Sequence, residues 1–166
     1  MTITEGDRLP EAQLIRMGDG GPEPVTLSSV LAGKTVALFG VPGAFTRTCS
    51  NAHMPSFVNN ADALRGTGID AIACVAVNDP FVMKAWAEHT GADKAGIEML
   101  SDADGQFTKA LGLNFDAPPV GFHSRSRRYT MLVEDGVVRT VSVEDSPGVC
   151  DVSSGDALLK VLQQAG

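Results

Sequence analysis

Thr35–Cys49 reads TVALFGVPGAFTRTC, and its change of character partway along decides the fold. Thr35–Val41 is a short, continuous apolar run, the pattern of a strand buried on both faces. It breaks at Pro42-Gly43. From Thr46 to about Arg65 the apolar positions are spaced more loosely, which predicts a helix that Pro55 bends or divides. Ile69–Val77 (IDAIACVAV) is a second apolar strand. Asp79-Pro80 then opens another helix, with Asp79 as N-cap and Pro80 at the first helical position.

Further along, Met99–Ser101 closes a third strand and Gln106–Leu111 suits a short helix. Tyr129–Glu134 and Val137–Val143 form two strands joined at Asp135-Gly136, a strong hairpin signal. Ser154–Gln164 is a terminal amphipathic helix capped by Ser153 or Ser154. Two stretches read as irregular: the turn-rich Arg16–Pro24 (RMGDGGPEP) and the locally basic Asn114–Arg128 (NFDAPPVGFHSRSRR). Strand–helix–strand units imply a parallel sheet covered by helices, and the hairpin adds an antiparallel edge. The expected class is therefore α/β, a central mixed β-sheet flanked by helices. A thioredoxin-like layout fits, as do other small α/β folds. A chain of 166 residues fits one domain, 1–166.

With 20 acidic against 13 basic residues the net charge is −7. That argues against a general binder of nucleic acid or anionic membranes, since both need clustered Lys and Arg. No apolar run approaches the ~20 residues needed to cross a bilayer. The opening Met1–Asp7 lacks the basic and apolar regions of a signal peptide, so a cytoplasmic location is expected. The three cysteines, Cys49, Cys74 and Cys150, are too few and too scattered for a disulfide framework. In a reducing compartment each is either packing material or a reactive thiol.

Cys49 is the candidate for reactivity. It falls in the first turn of a helix that follows a strand, where active-site groups gather in α/β proteins. Unpaired N–H groups and the helix dipole favour a thiolate there. Thr46, Arg47, Thr48, Ser50 and Asn51 surround it with polar groups, a poor setting for a core residue. Three other chemistries fail on the string. A dithiol needs C-x-x-C, but Thr46 stands where the first sulfur would be. A phosphatase-type loop needs Arg six residues after the cysteine, where Pro55 stands. Cys49 and His53 share a helix face, but no second paired-ligand motif appears, so neither metal nor cofactor is expected.

The pattern P-x-x-x-T-x-x-C, filled by Pro42, Thr46 and Cys49, resembles the active-site motif of the peroxiredoxins. The wider PGAFTRTCSNAHMPSF, together with CVAVNDPFVMKAW (Cys74–Trp86), GDRLPEAQL and RYTMLVEDGVV, is similar to the type II, peroxiredoxin 5-like subfamily over nearly the whole chain. Arg47 stands where that subfamily usually carries proline. The resemblance implies a thioredoxin-like fold and a thiol-dependent peroxidase acting on hydrogen peroxide and small organic hydroperoxides. Cys49 resembles the cysteine that attacks the O–O bond and becomes a sulfenic acid. Thr46 resembles the threonine that holds thiolate and peroxide. Pro42, with Gly43 beside it, resembles the shield of the substrate site. Arg128 matches the arginine that lies against the thiolate, with Arg125 and Arg127 as nearby alternatives. His53 matches a histidine that helps order the arginine or the substrate.

A thiol of pKa ~8.5 is only about 3% ionised at pH 7, so full ionisation can raise the rate by roughly 30-fold. Any further acceleration must come from donors that meet charge on the leaving oxygen. The sulfenic acid must then be reduced. Cys150, in the turn-rich DSPGVCDVSS, is the better-placed internal candidate; Cys74, in an apolar strand, is the other. Failing both, the resemblance implies an external thiol, glutaredoxin with glutathione or thioredoxin. Trp86 and Phe81 read as core. Phe45, Phe115, Pro118, Pro119 and Phe122 read as an apolar collar or a homodimer contact. The alternative function is a redox sensor on the same fold with negligible turnover.

Overall fold

The computed structural model describes residues 2–165, and its centre is β3 (Thr35–Gly40), whose last five residues are fully enclosed. This strand pairs in parallel with β4 (Ala71–Ala76) on one side and antiparallel with β8 (Tyr129–Glu134) on the other. β5 (Glu98–Ser101) continues the parallel part, and β9 (Val137–Val143) closes the hairpin edge through Asp135-Gly136. With β1 (Gln13–Gly18) and β2 (Gly21–Thr26) the sheet has seven strands in the order β2-β1-β5-β4-β3-β8-β9. The mixed sheet and its antiparallel edge are those the sequence predicts.

Alternation along β3 divides the core into two layers. Ala37 and Phe39 point to the face covered by α2 (Met54–Gly66), α3 (Pro80–Thr90) and α5 (Gly155–Ala165). Val36 and Leu38 point to the face covered by α1 (Leu27–Leu31) and α4 (Gln106–Ala110). Cys49 and Cys74 both belong to the first layer.

Several expectations are corrected. Arg16–Pro24 is a hairpin, not a loop: β1 and β2 pair from Gln13↔Thr26 to Gly18↔Gly21, with Asp19-Gly20 as the turn. Asn114–Arg128 also contains a hairpin, β6 (Asn114–Ala117) and β7 (Phe122–Ser126), joined by a single turn at Pro118–Val120. The helix after Cys49 is divided near Pro55, as expected: Cys49–His53 forms a wide π-helical turn, in which the Met54 N–H bonds the Cys49 carbonyl, and α2 follows with Pro55 in its first turn. A prolyl ring clashes with the carbonyl four residues back and offers no N–H, and the widened turn accommodates both. Phe81 is 65% exposed rather than core, whereas Trp86 is buried and donates from Nε1 to Ser50 Oγ (2.9 Å). Asp79 caps α3 as expected, accepting from the Val82 N–H. Ser154, not Ser153, caps α5, accepting from the Ala157 N–H (3.0 Å).

Candidate active site

The loop from Val41 to Thr48 leaves the end of β3 and delivers Cys49 to the start of the π turn. Side-chain hydrogen bonds help to hold it. Ala44 N–H donates to Asn78 Oδ1 (2.9 Å), Arg125 Nη1 donates to the Pro42 carbonyl (3.2 Å), and the Thr46 hydroxyl donates to the Gly43 carbonyl (2.7 Å). Gly43 permits a close approach, since a Cβ there would lie 2.5 Å from Arg125 Nη1 and 3.2 Å from Thr46 Cγ2. Phe45 adopts φ of 63°, a left-handed conformation uncommon for a bulky non-glycine residue.

Cys49 has no exposed surface, and Arg128 is 1% exposed. Arg128 Nη2 donates to Cys49 Sγ (3.2 Å) and to the Pro147 carbonyl (2.9 Å). Its Nη1 lies 3.0 Å from His53 Nδ1. Since a guanidinium only donates, His53 Nδ1 is the acceptor and its proton sits on Nε2. Nε2–H then donates to the Ser153 carbonyl (2.9 Å), which also accepts from the Thr130 hydroxyl. Burial, and then the charge of Arg128, push the imidazole down to about 3, so it stays neutral at physiological pH. Both ring nitrogens are thus engaged with protein partners. Arg128 makes no ion pair with a carboxylate among the described residues, and its charge faces the sulfur.

The structure brings Cys49, Arg128 and His53 into one bonded group. Pro42 and Gly43 lie in the loop before the π turn, their carbonyls bonded to Arg125 and to the Thr46 hydroxyl. The Thr46 hydroxyl is bonded to the loop rather than to the sulfur; having donated its proton to Gly43, its oxygen remains free to accept one from a substrate. Arg127 instead donates from Nη2 to the Glu144 carbonyl (3.0 Å), and Arg125 braces the loop. A recess of about 190 Å³ lies against Arg128, bounded by Phe115, Arg127, Glu144, Ser146 and Pro147. Wider recesses lie elsewhere: one of about 430 Å³ between β1, α3 and β5 has no cysteine in its lining, and one of about 470 Å³ is lined by Cys150 with Ala52, Ser56 and Asp151.

The other two cysteines differ. Cys74 is fully buried opposite Phe39, and burial, reinforced by Cys49 nearby, pushes its thiol well up. Cys150 is half-buried, and its thiol is raised by burial and only partly offset by Ser153 and Arg128. Its loop is not the free, exposed segment its composition suggests. Gly148 O accepts from the Thr48 hydroxyl (3.2 Å), and Pro147 O accepts from Arg128. Glu144 Oε2 takes the Asp151 N–H (2.7 Å), the Ser153 N–H (2.8 Å) and the Ser153 hydroxyl (2.6 Å). Glu144, Ser153, Thr130 and the bracing role of Arg125 have no local sequence signature; only the long-range pairing of β8 with β3 and β9 assembles them.

Residues 4–159 match the Redoxin family model. The chain is 46% identical over 165 residues to Peroxiredoxin-2E-2, chloroplastic, of Oryza sativa subsp. japonica, covering 97% of this chain and 73% of that protein. The chain belongs to the peroxiredoxins. Among solved peroxiredoxin structures, reduced Prx3 from Vibrio vulnificus in complex with H2O2 superposes with a TM-score of 0.90 at 46% identity, covering 97% of this chain and 99% of that one. Peroxiredoxin 5 from Alvinella pompejana superposes with a TM-score of 0.83 at 36% identity, covering 98% and 99%. The peroxiredoxin fold is thioredoxin-like, so the layout read from the sequence holds and the other small α/β folds fall away. In peroxiredoxin terms the arrangement offers a buried sulfur, a fixed cation and an unused hydroxyl acceptor, a set matched to a reagent only a few atoms long.

Proposed function

We propose that the protein is a thiol-dependent peroxidase in which Cys49 attacks hydrogen peroxide or a small organic hydroperoxide. The contact of Arg128 Nη2 with Cys49 Sγ, inside a site with no exposed sulfur, carries the reading. The sulfur's electron pair forms an S–O bond as the O–O bond breaks. The departing oxygen takes a proton and leaves as water or alcohol, and Cys49 is left as a sulfenic acid. Arg128 offers fixed donors to the charge moving onto that oxygen, and the Thr46 oxygen accepts the peroxide O–H. Their geometry exists before substrate arrives, so little reorganisation is needed at reaction.

A thiol then condenses with the sulfenic acid, releasing water and forming a disulfide. We assign that step to Cys150 ahead of Cys74. Cys150 lies on a surface loop whose release breaks hydrogen bonds but no core packing, whereas moving Cys74 would expose buried surface at roughly 1–3 kcal/mol. Glutaredoxin with glutathione, or thioredoxin, is the class of reductant that completes the cycle. Exposed Val120, in the turn of the β6–β7 hairpin, and exposed Phe45, packed against His89 of α3, support a homodimer. The three unpaired thiols fit a reducing compartment, and we place the protein in the cytoplasm.

The test is a non-reducing peptide map after one equivalent of peroxide, run beside stopped-flow peroxide consumption. The expected product is a Cys49–Cys150 disulfide, and Cys49→Ser should consume no peroxide. A Cys49–Cys74 bridge would overturn the order of the resolving thiols. Steady peroxide consumption by Cys49→Ser would remove Cys49 from the chemistry.

A further inference from the structure

Glu144 lies one residue beyond β9, and no part of the proposed reaction uses it. Its N–H bonds the Arg128 carbonyl (2.9 Å), so it is fixed directly to the arginine's main chain, one residue before β8. Its side chain is buried, with the residue 5% exposed, and one oxygen takes three donors from Asp151 and Ser153. We propose that Glu144 is a positioning residue for the reaction at Cys49: it holds segment 145–153 so that the Pro147 and Ser153 carbonyls orient the Arg128–His53 pair against the sulfur. The proposal rests on the reading of Cys49 as the attacking thiol.

The linkage is a continuous run of hydrogen bonds. Glu144 fixes the Ser153 main chain; the Ser153 carbonyl takes the proton of His53 Nε2; His53 Nδ1 takes Arg128 Nη1; and Arg128 Nη2 meets Cys49 Sγ. Pro147, in the same segment, supplies the second acceptor for that Nη2. Removing the carboxylate leaves two amides and a hydroxyl without their acceptor, which favours opening of the segment toward water. Burial by itself raises the Glu144 carboxyl, but the Ser153 and Asp151 donors and the Arg128 charge outweigh it and keep the group below its ordinary range. The anion is thus the form the site selects.

Asp102 provides the comparison. It is equally buried and makes the same kind of loop cap, accepting from the Phe107 N–H and from the Thr108 N–H and hydroxyl, but its bonds lead to α4 rather than to the cysteine. A carboxylate that only stabilises the fold should behave like Asp102.

The experiment measures the single-turnover peroxide step in full-length Glu144→Ala, Glu144→Gln and Asp102→Asn proteins, together with solvent exchange of the His53 Nε2–H by NMR. Glu144→Ala should slow the peroxide step about tenfold, the effect of weakening one charge-assisted contact, and should quicken the His53 exchange at least as much. Glu144→Gln should recover part of both, because an amide oxygen still accepts from the two backbone N–H groups. Asp102→Asn should lower the melting temperature and leave both readouts unchanged. An unaltered peroxide step in folded Glu144→Ala, or an equal loss in Asp102→Asn, overturns the proposal. Should the alanine variant not fold, Glu144→Gln carries the same two readouts, and an unaltered rate and exchange there overturn it. Cys49→Ser, run alongside, separates the cases: if it still consumes peroxide, the attacking thiol is wrong, whatever Glu144 does.

Discussion

One guanidinium serves three acceptors at the heart of the site, two of them from the π turn and the third from segment 145–153. That is why Arg128 is placed so firmly, and why the loop opposite it must be equally well placed. Gly43 is the residue most sensitive to this fit. Its missing side chain lets Arg125 reach the Pro42 carbonyl. Gly43→Ala should displace the Arg125 guanidinium, which can swing away, so the loss of stability should be less than about 1 kcal/mol. The peroxide step should nevertheless slow by roughly tenfold to a hundredfold, because the loop carries Thr46 into the site. Arg125→Ala should reproduce the effect, as read by stopped flow; a Gly43→Ala protein as fast as the parent would show that the brace is irrelevant. Cys49, Thr46 and His53 could be read in the sequence because they share one short motif, and Arg128 because the strand after it is distinctive. The roles of Glu144 and Arg125 could not, because a charged residue looks the same in sequence whether it is solvated or, as here, bonded to main chain.

The elements that were legible were those whose apolar pattern is continuous or whose ends carry turn chemistry. β3, β4 and the β8–β9 hairpin fall where their residues predict, as does α3 with its cap. Asp79→Ala removes the acceptor for the Val82 N–H and should cost about 1 kcal/mol in urea unfolding. A loss indistinguishable from zero would mean that Pro80 alone starts the helix. The β1–β2 hairpin was hidden because glycine and proline in GDGGPEP obscure the alternation that marks a strand. β6 and β7 were hidden for a related reason: they form a separate two-stranded pair with little burial, so no apolar period announces them. The π turn has no sequence signal beyond Pro55, and its position at Cys49 follows from the helix having to absorb that proline one turn later.

For the molecule as a whole, two buried groups make the fold sensitive to acid. His53 has an ordinary value of 6.5 and about 3 in the folded protein. Between those values the unfolded chain binds a proton that the folded chain refuses, so stability present above pH 6.5 is lost as pH falls toward 3. At about 1.4 kcal/mol per pH unit the loss reaches roughly 5 kcal/mol. Glu144, held below its ordinary value, acts in the same direction, its contribution vanishing as pH falls through its folded value. The melting temperature should therefore drop steadily from pH 7 to pH 4, and His53→Gln should flatten the upper part of that slope. A melting temperature constant over this range would show that His53 takes up its proton without disturbing the fold.

The same sheet that carries the site also has an outer boundary. β2 pairs through Pro22↔Met17 and Pro24↔Ile15, so both prolyl nitrogens must face away from β1, toward the open side. Along that border two of the amides that could recruit another chain's strand are absent, and Glu23 stands between them. This border is therefore a poor template for edge-to-edge aggregation.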